Sequence, residues 1–479
     1  SRSAVLSVVS SVVTAAFLAS GTAHAGSGTW IYDGSGTWST ASRWNPAVVP
    51  GTAAGDAVYL TNNITANRTV TIDTTSRTAG TLVFGDCASP YFGFTLAASG
   101  GATLTFNNGG GSVNLVQTNN NATADTLSAP VVLADNLSVT NRWGLTLSGA
   151  VSGGGKSITK NGVGVLTLSG ANTYSGGTVV NNGVLSLQKT HSLPSAGEVT
   201  VANSGRLAIG VGGAGGFSSA DVDALYANNL PGVSLGASSA AGVDTTLGSF
   251  TYGTSLSGTR GFAKLGGNSL ILPVANSHTG PTLIYNGVLQ LEHESALPGG
   301  TGTTGGSSPL VFNGGVLGLG VGDFTRSLAS AGTATGVNFT GPGGWAAYNA
   351  DRVVNLGGSG ATVAWGTANT GFGGQRLILG APTATHTLEL RNPLDLGSSG
   401  ASRTVQVDDG AAAIDAVLSG VISGTGTSAN LYKYGSGTLA LTAVNTYRGQ
   451  TWVSGGGVLL LTGIASIGTA GANNMTLGQ

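Results

Sequence analysis

The chain has 479 residues, 41% of them hydrophobic and only 8% charged, with 83 glycines and a net charge of −1. That hydrophobic share argues for a packed structure rather than disorder, and the length exceeds one ordinary core, so the chain splits into domains or extends as a stack. The 18 basic residues are scattered singly, which argues against nucleic acid as a partner, and no acidic run supports an electrostatic reading either.

Residues 1–25 differ from the rest. Val5 to Ser20 is an apolar, small-residue run preceded by Arg2 and followed by Ala23-His24-Ala25. This is the pattern of a secretory signal peptide cut before Gly26. No later run has the length of a transmembrane helix, so no transmembrane segment is expected in this chain. Cys87 is the single cysteine. A secreted chain of this length without a disulfide framework fits a large repetitive bacterial export substrate.

Residues 26–110 read as an N-terminal β cap and the first coils of a stack. Trp30, Trp38 and Trp44 fall close together, and Pro46, Pro50 and Asp56 precede the strand Asp56-Ala57-Val58-Tyr59-Leu60. A stack must cover its first coil, or the open strand edge invites aggregation. Exposed tryptophans on which sugars stack are the rival reading of the same residues.

Alternation with period two dominates the chain, as in Thr69-Val70-Thr71-Ile72, Ala102-Thr103-Leu104-Thr105-Phe106 and Thr387-Leu388-Glu389-Leu390. Gly-Gly, Asn-Gly and Ser-Gly punctuation separates these strands. Two all-β architectures follow: sandwiches built from hairpins, or a parallel β-helix with about 20–25 residues per coil. The exception is Ser219 to Leu230, where a serine N-cap, Asp221 and Asp223, with Val222, Leu225 and Tyr226 on one face, predict a short helix.

Within residues 111–479, three stretches nearly coincide: 160–187, 264–291 and 433–461. Aligned on Lys160, Lys264 and Lys433, they place Asn172, Asn276 and Asn445 twelve residues on. Tyr174, His278 and Tyr447 follow at fourteen, Gly176, Gly280 and Gly449 at sixteen, and Thr178, Thr282 and Thr451 at eighteen. The third copy needs one inserted residue within Ser454-Gly455-Gly456-Gly457 to align Leu459 with Leu185 and Leu289. Repetition of this kind marks an architecture whose units bury their apolar faces by stacking. The asparagines suit turns that stack as ladders, and Gly-Val-Leu-x-Leu suits an inward aliphatic column.

The three copies resemble the autotransporter-associated β-strand repeat of bacterial surface passengers. The resemblance rests on the lysine, then Gly162-Val163-Gly164, Leu166, Leu168, Ala171-Asn172-Thr173-Tyr174, Gly176, Thr178, Gly183, Leu185 and Leu187. The second copy departs with His278 for tyrosine and Pro273 in the strand region. It implies an all-β fold, a right-handed parallel β-helix carried outside the cell, and it carries no catalytic residues over. No pattern of membrane barrel strands occurs in the sequence, so a translocator or anchor is expected outside it.

Motifs with chemical meaning are few. Gly210-Val211-Gly212-Gly213-Ala214-Gly215 fits a dinucleotide fingerprint but lacks the βαβ context and the acid about 20 residues on. Gly232-Val233-Ser234-Leu235-Gly236 fits a nucleophile elbow without its sheet or partners. His293-Glu294 lacks a second histidine, and Asp221/Asp223 and Asp408/Asp409 lack the spacing of a repeat calcium site. Glu389 and Arg391, two apart in a strand, form a surface pair on this reading. No catalytic, cofactor-binding or metal residues are therefore assigned, and no cofactor is expected.

The expectation is a non-catalytic extracellular scaffold or adhesin-like passenger, secreted or held at a bacterial cell surface, with host or environmental surfaces or polysaccharide as partners. A carbohydrate-active β-helix enzyme, a lyase or hydrolase, and a self-associating envelope coat are the alternatives.

Overall fold

A computed structural model describes residues 26–479 except 87, 119–123, 195, 303–306, 330–332, 334–335, 399, 427, 463–466, 468–474 and 478–479. The proposed signal peptide and Cys87 lie outside the described residues. The chain forms two compact units, which exchange between residues 185 and 202.

Alternating sequences put every second side chain into a core, and coils satisfy their backbone groups by pairing with the coils above and below. In the first unit this produces three parallel sheets. One runs through Gly28–Trp30, Ala57–Leu60, Thr81–Phe84, Val113–Gln117, Leu137–Asn141, Ile158–Asn161, Thr178–Val180 and Val199–Val201. A second runs through Gly36–Thr37, Arg68–Ile72, Phe94–Ala98, Asp125–Leu127, Leu145–Leu147 and Val165–Leu168. The third contains Arg77–Ala79, Leu104–Phe106, Val131–Leu133 and Val151–Ser152. Successive strands in the chain belong to different sheets and each pairs one coil on. This is a parallel β-helix, and the sandwich alternative falls.

The second unit is built likewise. Strands Gly205–Gly210, Ala240–Asp244, Gly261–Leu265, Thr282–Ile284, Leu310–Phe312 and Val337–Phe339 pair in parallel. A longer parallel sheet runs from Phe250–Thr251 to Met475–Leu477. Two further sheets hold the second and third strands of its later coils.

Coil length departs from expectation outside the repeats. Lys160 pairs with Val180, Lys264 with Ile284 and Lys433 with Val453, a uniform step of 20 residues. Elsewhere Leu82 pairs with Leu115, Gly343 with Leu377 and Leu377 with Val405. Those longer coils hold extra excursions, such as Gly380–Ala384, whose Ala381 and Ala384 pack with Ile378 and Tyr348 over Val288, Val316 and Ala346.

The tryptophans of the N-terminal segment are closed to sugars. Trp30, Trp38 and Trp44 are at most 1% exposed. Trp44 packs on Trp30 and Trp38 with ring centroids 5.1 and 4.9 Å apart. Each indole N–H is used: Trp30 donates to the Tyr32 carbonyl, Trp38 to Pro50 and Trp44 to Trp38. The strand Trp44–Asn45 runs antiparallel along Gly28–Trp30, closing that first edge.

The predicted helix is Ser219–Tyr226, shorter than the expected stretch, and its N-cap is Ser218. Ser218 and Asp221 form a reciprocal capping box. Val222 and Leu225 are buried, and Tyr226 donates to the Arg260 carbonyl at 2.6 Å.

Candidate functional site

The residues held at fixed spacing in the repeats all turn inward. Lys160, Lys264 and Lys433 are fully buried. Lys160 Nζ donates to the carbonyls of Asn161, Gly162 and Asn182 at 2.7, 2.9 and 3.2 Å. Lys264 Nζ does the same with Leu265, Gly266 and Asn286 at 2.7, 2.7 and 2.9 Å. Lys433 donates to Gly435. In the first two copies the amine thus joins the turn of its own coil to the turn of the next. Burial pushes Lys160 and Lys264 down to about 7, while the three carbonyls oppose that shift, because only an ammonium has three hydrogens to give. Lys433 is also lowered by burial, against the pull of Asp415 and Asp408.

In the first copy the glycine after the second turn follows from this clasp. Gly183 has φ +72°, and a Cβ there would lie 2.8 Å from Lys160 Nζ. Only glycine lets the chain turn left-handed and approach the amine so closely.

The asparagines are buried staples between coils rather than a ladder on one another. Asn276 Oδ1 accepts from the Leu256 N–H at 2.8 Å, and its Nδ2 donates to the Ala296 carbonyl at 2.7 Å. Asn172 links Val151 N–H and the Ser192 carbonyl in the same way, at 3.0 and 2.8 Å. Asn445 accepts from Ile422 N–H at 2.7 Å. The sequence periodicity located these residues without showing that they connect three successive turns of backbone.

The aromatic position bonds the threonine four residues on. Tyr174 and Thr178 hydroxyls are 2.6 Å apart, and Tyr447 and Thr451 hydroxyls 2.5 Å. His278 Nε2 keeps the bond to Thr282 Oγ1, at 2.9 Å. Ser308 donates to the Gly280 carbonyl, so Thr282 donates to Ser308 and His278 must donate to Thr282. The ring is therefore the neutral Nε2–H tautomer, with Nδ1 buried and unpartnered among the described residues. Burial pushes this histidine down to about 4.

The sequence motifs of possible catalysis come apart in space. Gly210 ends a strand and the helix Ser219–Tyr226 follows, but that helix N-terminus already holds the Asp221 carboxylate. A Cβ on Gly210 would collide with the Gln188 carbonyl and one on Gly212 with Gly248, so the glycines fit coil against coil. Ser234 lies within the strand Val233–Leu235, not at a turn into a helix. Asp223 accepts from the Tyr252 hydroxyl at 2.5 Å, and Asp408 from Gln406 at 2.7 Å. Arg391 lies 3.1 Å from Glu389 with its side chain 54% exposed, and Ser419 also donates to that carboxylate. It is a surface ion pair.

Two buried polar centres of the second unit carried no sequence signal. Arg326 is fully buried and donates to the Gly300, Ser308 and Pro298 carbonyls at 2.8, 2.8 and 2.5 Å. Asp244 accepts from Ser186, Gln188 and Thr246. Both are single residues outside the repeats, so nothing repeats to reveal them.

The passenger-associated-transport-repeat family matches residues 158–187, 262–291 and 431–464. Three segments of the chain are therefore passenger-type repeats. No curated protein and no solved structure matches it. The three passenger repeats coincide with the three lysine clasps. Such repeats indicate an autotransporter passenger domain, and they imply a translocator elsewhere. No described helix is long and apolar enough to cross a membrane.

Proposed function

We propose that this chain is a non-catalytic extracellular scaffold or adhesin-like passenger, displayed at a bacterial surface or secreted from it. On this reading residues 1–25 are its leader, 26–110 the cap and first coils, and 111–479 the body that presents polar sheet faces. The observation that supports it is the orientation of the repeat residues. Lys160, Lys264, Asn172, Asn276, Tyr174 and the Nε2 of His278 all bond neighbouring backbone or hydroxyls inside the stack. What the repeats hold constant is the joining of coil to coil, which suits a rigid display element more than a reaction.

The test is expression of the complete reading frame in a diderm bacterium, followed by antibody labelling of intact cells and shaving with an external protease. Labelling of intact cells and loss of the signal on shaving are expected. Retention inside the cell would overturn the display reading. Release of new reducing ends or unsaturated sugars from a polysaccharide panel by the purified chain would overturn the non-catalytic one.

A further inference from the structure

Thr69, Thr95, Thr126, Thr146 and Thr167 stand opposite one another on five successive strands of one sheet in the first unit. Their neighbours Val70, Leu96, Leu127, Leu147 and Leu168 are at most 1% exposed, so the threonines face outward. None of the five hydroxyls has a hydrogen-bond partner among the described residues.

Two residues along each strand a second column follows, made of Thr71, Ala97, Ser128, Ser148 and Ser169. Of these, Ser128 leans back to the Leu96 carbonyl. Strand pairing sets the rows about 4.8 Å apart, and two residues of strand set the columns about 6.7 Å apart. The register runs through all five strands without a slip. Threonine adds a stiff χ1, so hydroxyl and methyl are fixed before anything binds and little rotamer freedom remains to be lost.

Neither column contains a charged or an aromatic residue. Asp73, next along its strand from Thr71, is held by Ser39 at the edge. Within the two columns a charged surface would find no counter-charge, and a sugar ring no aromatic face to stack on. A neutral lattice of hydrogen-bonding oxygens at comparable spacing meets both conditions, and the prism faces of ice are such a lattice. We propose that this threonine face binds ice, the methyl and hydroxyl rows ordering water in register with the crystal. The inference goes beyond surface display and holds whether or not the chain is displayed, because its test uses the purified protein.

The experiment is inhibition of ice recrystallisation by the purified chain, with the double variant Thr126→Lys/Thr146→Lys, the milder Thr146→Val, and Thr105→Lys on another sheet as control. Circular dichroism establishes that each variant keeps its β structure. The wild type and the Thr105→Lys control are expected to keep ice grains small. The double lysine variant should need roughly a hundredfold more protein, the low end of what many linked contacts contribute. Should it fail to fold, Thr146→Val, which keeps β-branching, decides by a smaller loss in the same direction. Wild-type grains as coarse as those in serum albumin at equal mass would overturn the proposal. So would unchanged activity in a folded row variant, or sedimentation with microcrystalline cellulose through this row while ice is unaffected.

Discussion

Lys264 in one coil donates its Nζ to the carbonyl of Asn286 in the next, at 2.9 Å, while its other two bonds close the turn of its own coil. Lys160 and Asn182 repeat the relationship 104 residues earlier in the chain. A buried cation without a carboxylate partner is normally costly. Here carbonyl dipoles from two turns take its place.

Replacing Lys264 with methionine keeps the aliphatic stem and leaves three buried carbonyls without their donor. A loss of about 3 kcal/mol is expected. Because coils open locally, amide hydrogen exchange across residues 264–291 reads it best. Exchange unchanged there would show that the clasp contributes nothing.

Asn276→Ala removes the acceptor for Leu256 N–H and the donor to the Ala296 carbonyl. Each orphaned buried group costs about 1–3 kcal/mol. Asn276→Asp keeps the acceptor but sets a carboxylate beside a carbonyl, so it should be worse at neutral pH and recover on acidification. Urea midpoints at two pH values separate the two variants.

His278 gives the stack an acid-sensitive point. Its ordinary value of 6.5 falls to about 4 in the folded chain. Between those values the unfolded state binds a proton that the folded state refuses, so stability falls as pH drops from about 6.5 toward 4, by roughly 3 kcal/mol in all. His278→Tyr, the residue type found at Tyr174 and Tyr447, should keep the bond to Thr282 and remove this part of the pH dependence. Urea titrations from pH 7 to 4 compare the two.

The cap should be the weak point when truncated. Trp44→Ala removes the ring against which Trp30 and Trp38 pack, and about 3–5 kcal/mol of local stability with it. Limited proteolysis should then begin near residue 44 instead of elsewhere in the chain.

Glu389→Gln should be silent. The Glu389–Arg391 pair is exposed, and its loss should move stability by no more than about 0.5 kcal/mol. A large loss of any polysaccharide-cleaving activity in this variant would reverse the surface-pair assignment.

Much of the fold was legible in the sequence because two periods are written into it. Alternation of apolar and polar residues marked strands and faces, and the offsets from Lys160, Lys264 and Lys433 marked the repeated positions, while the 20-residue step came with the strand pairing. The tryptophan cluster read as a cap because three large apolar rings so close together must be buried or form a platform, though only packing decided which. The helix was placed by its polar start, but its cap moved to Ser218 because both serines there satisfy the same composition rule.

By itself the sequence determined a β stack with repeated joints, since side-chain periodicity is a local property of the chain. The tertiary structure alone decided what the joints do. The acceptors of Lys264 and Asn276 lie one coil away and are backbone carbonyls, which every residue carries and no residue type announces. It also decided which threonines form a row, because Thr126, Thr146 and Thr167 become neighbours only when coils of unequal length fall into register.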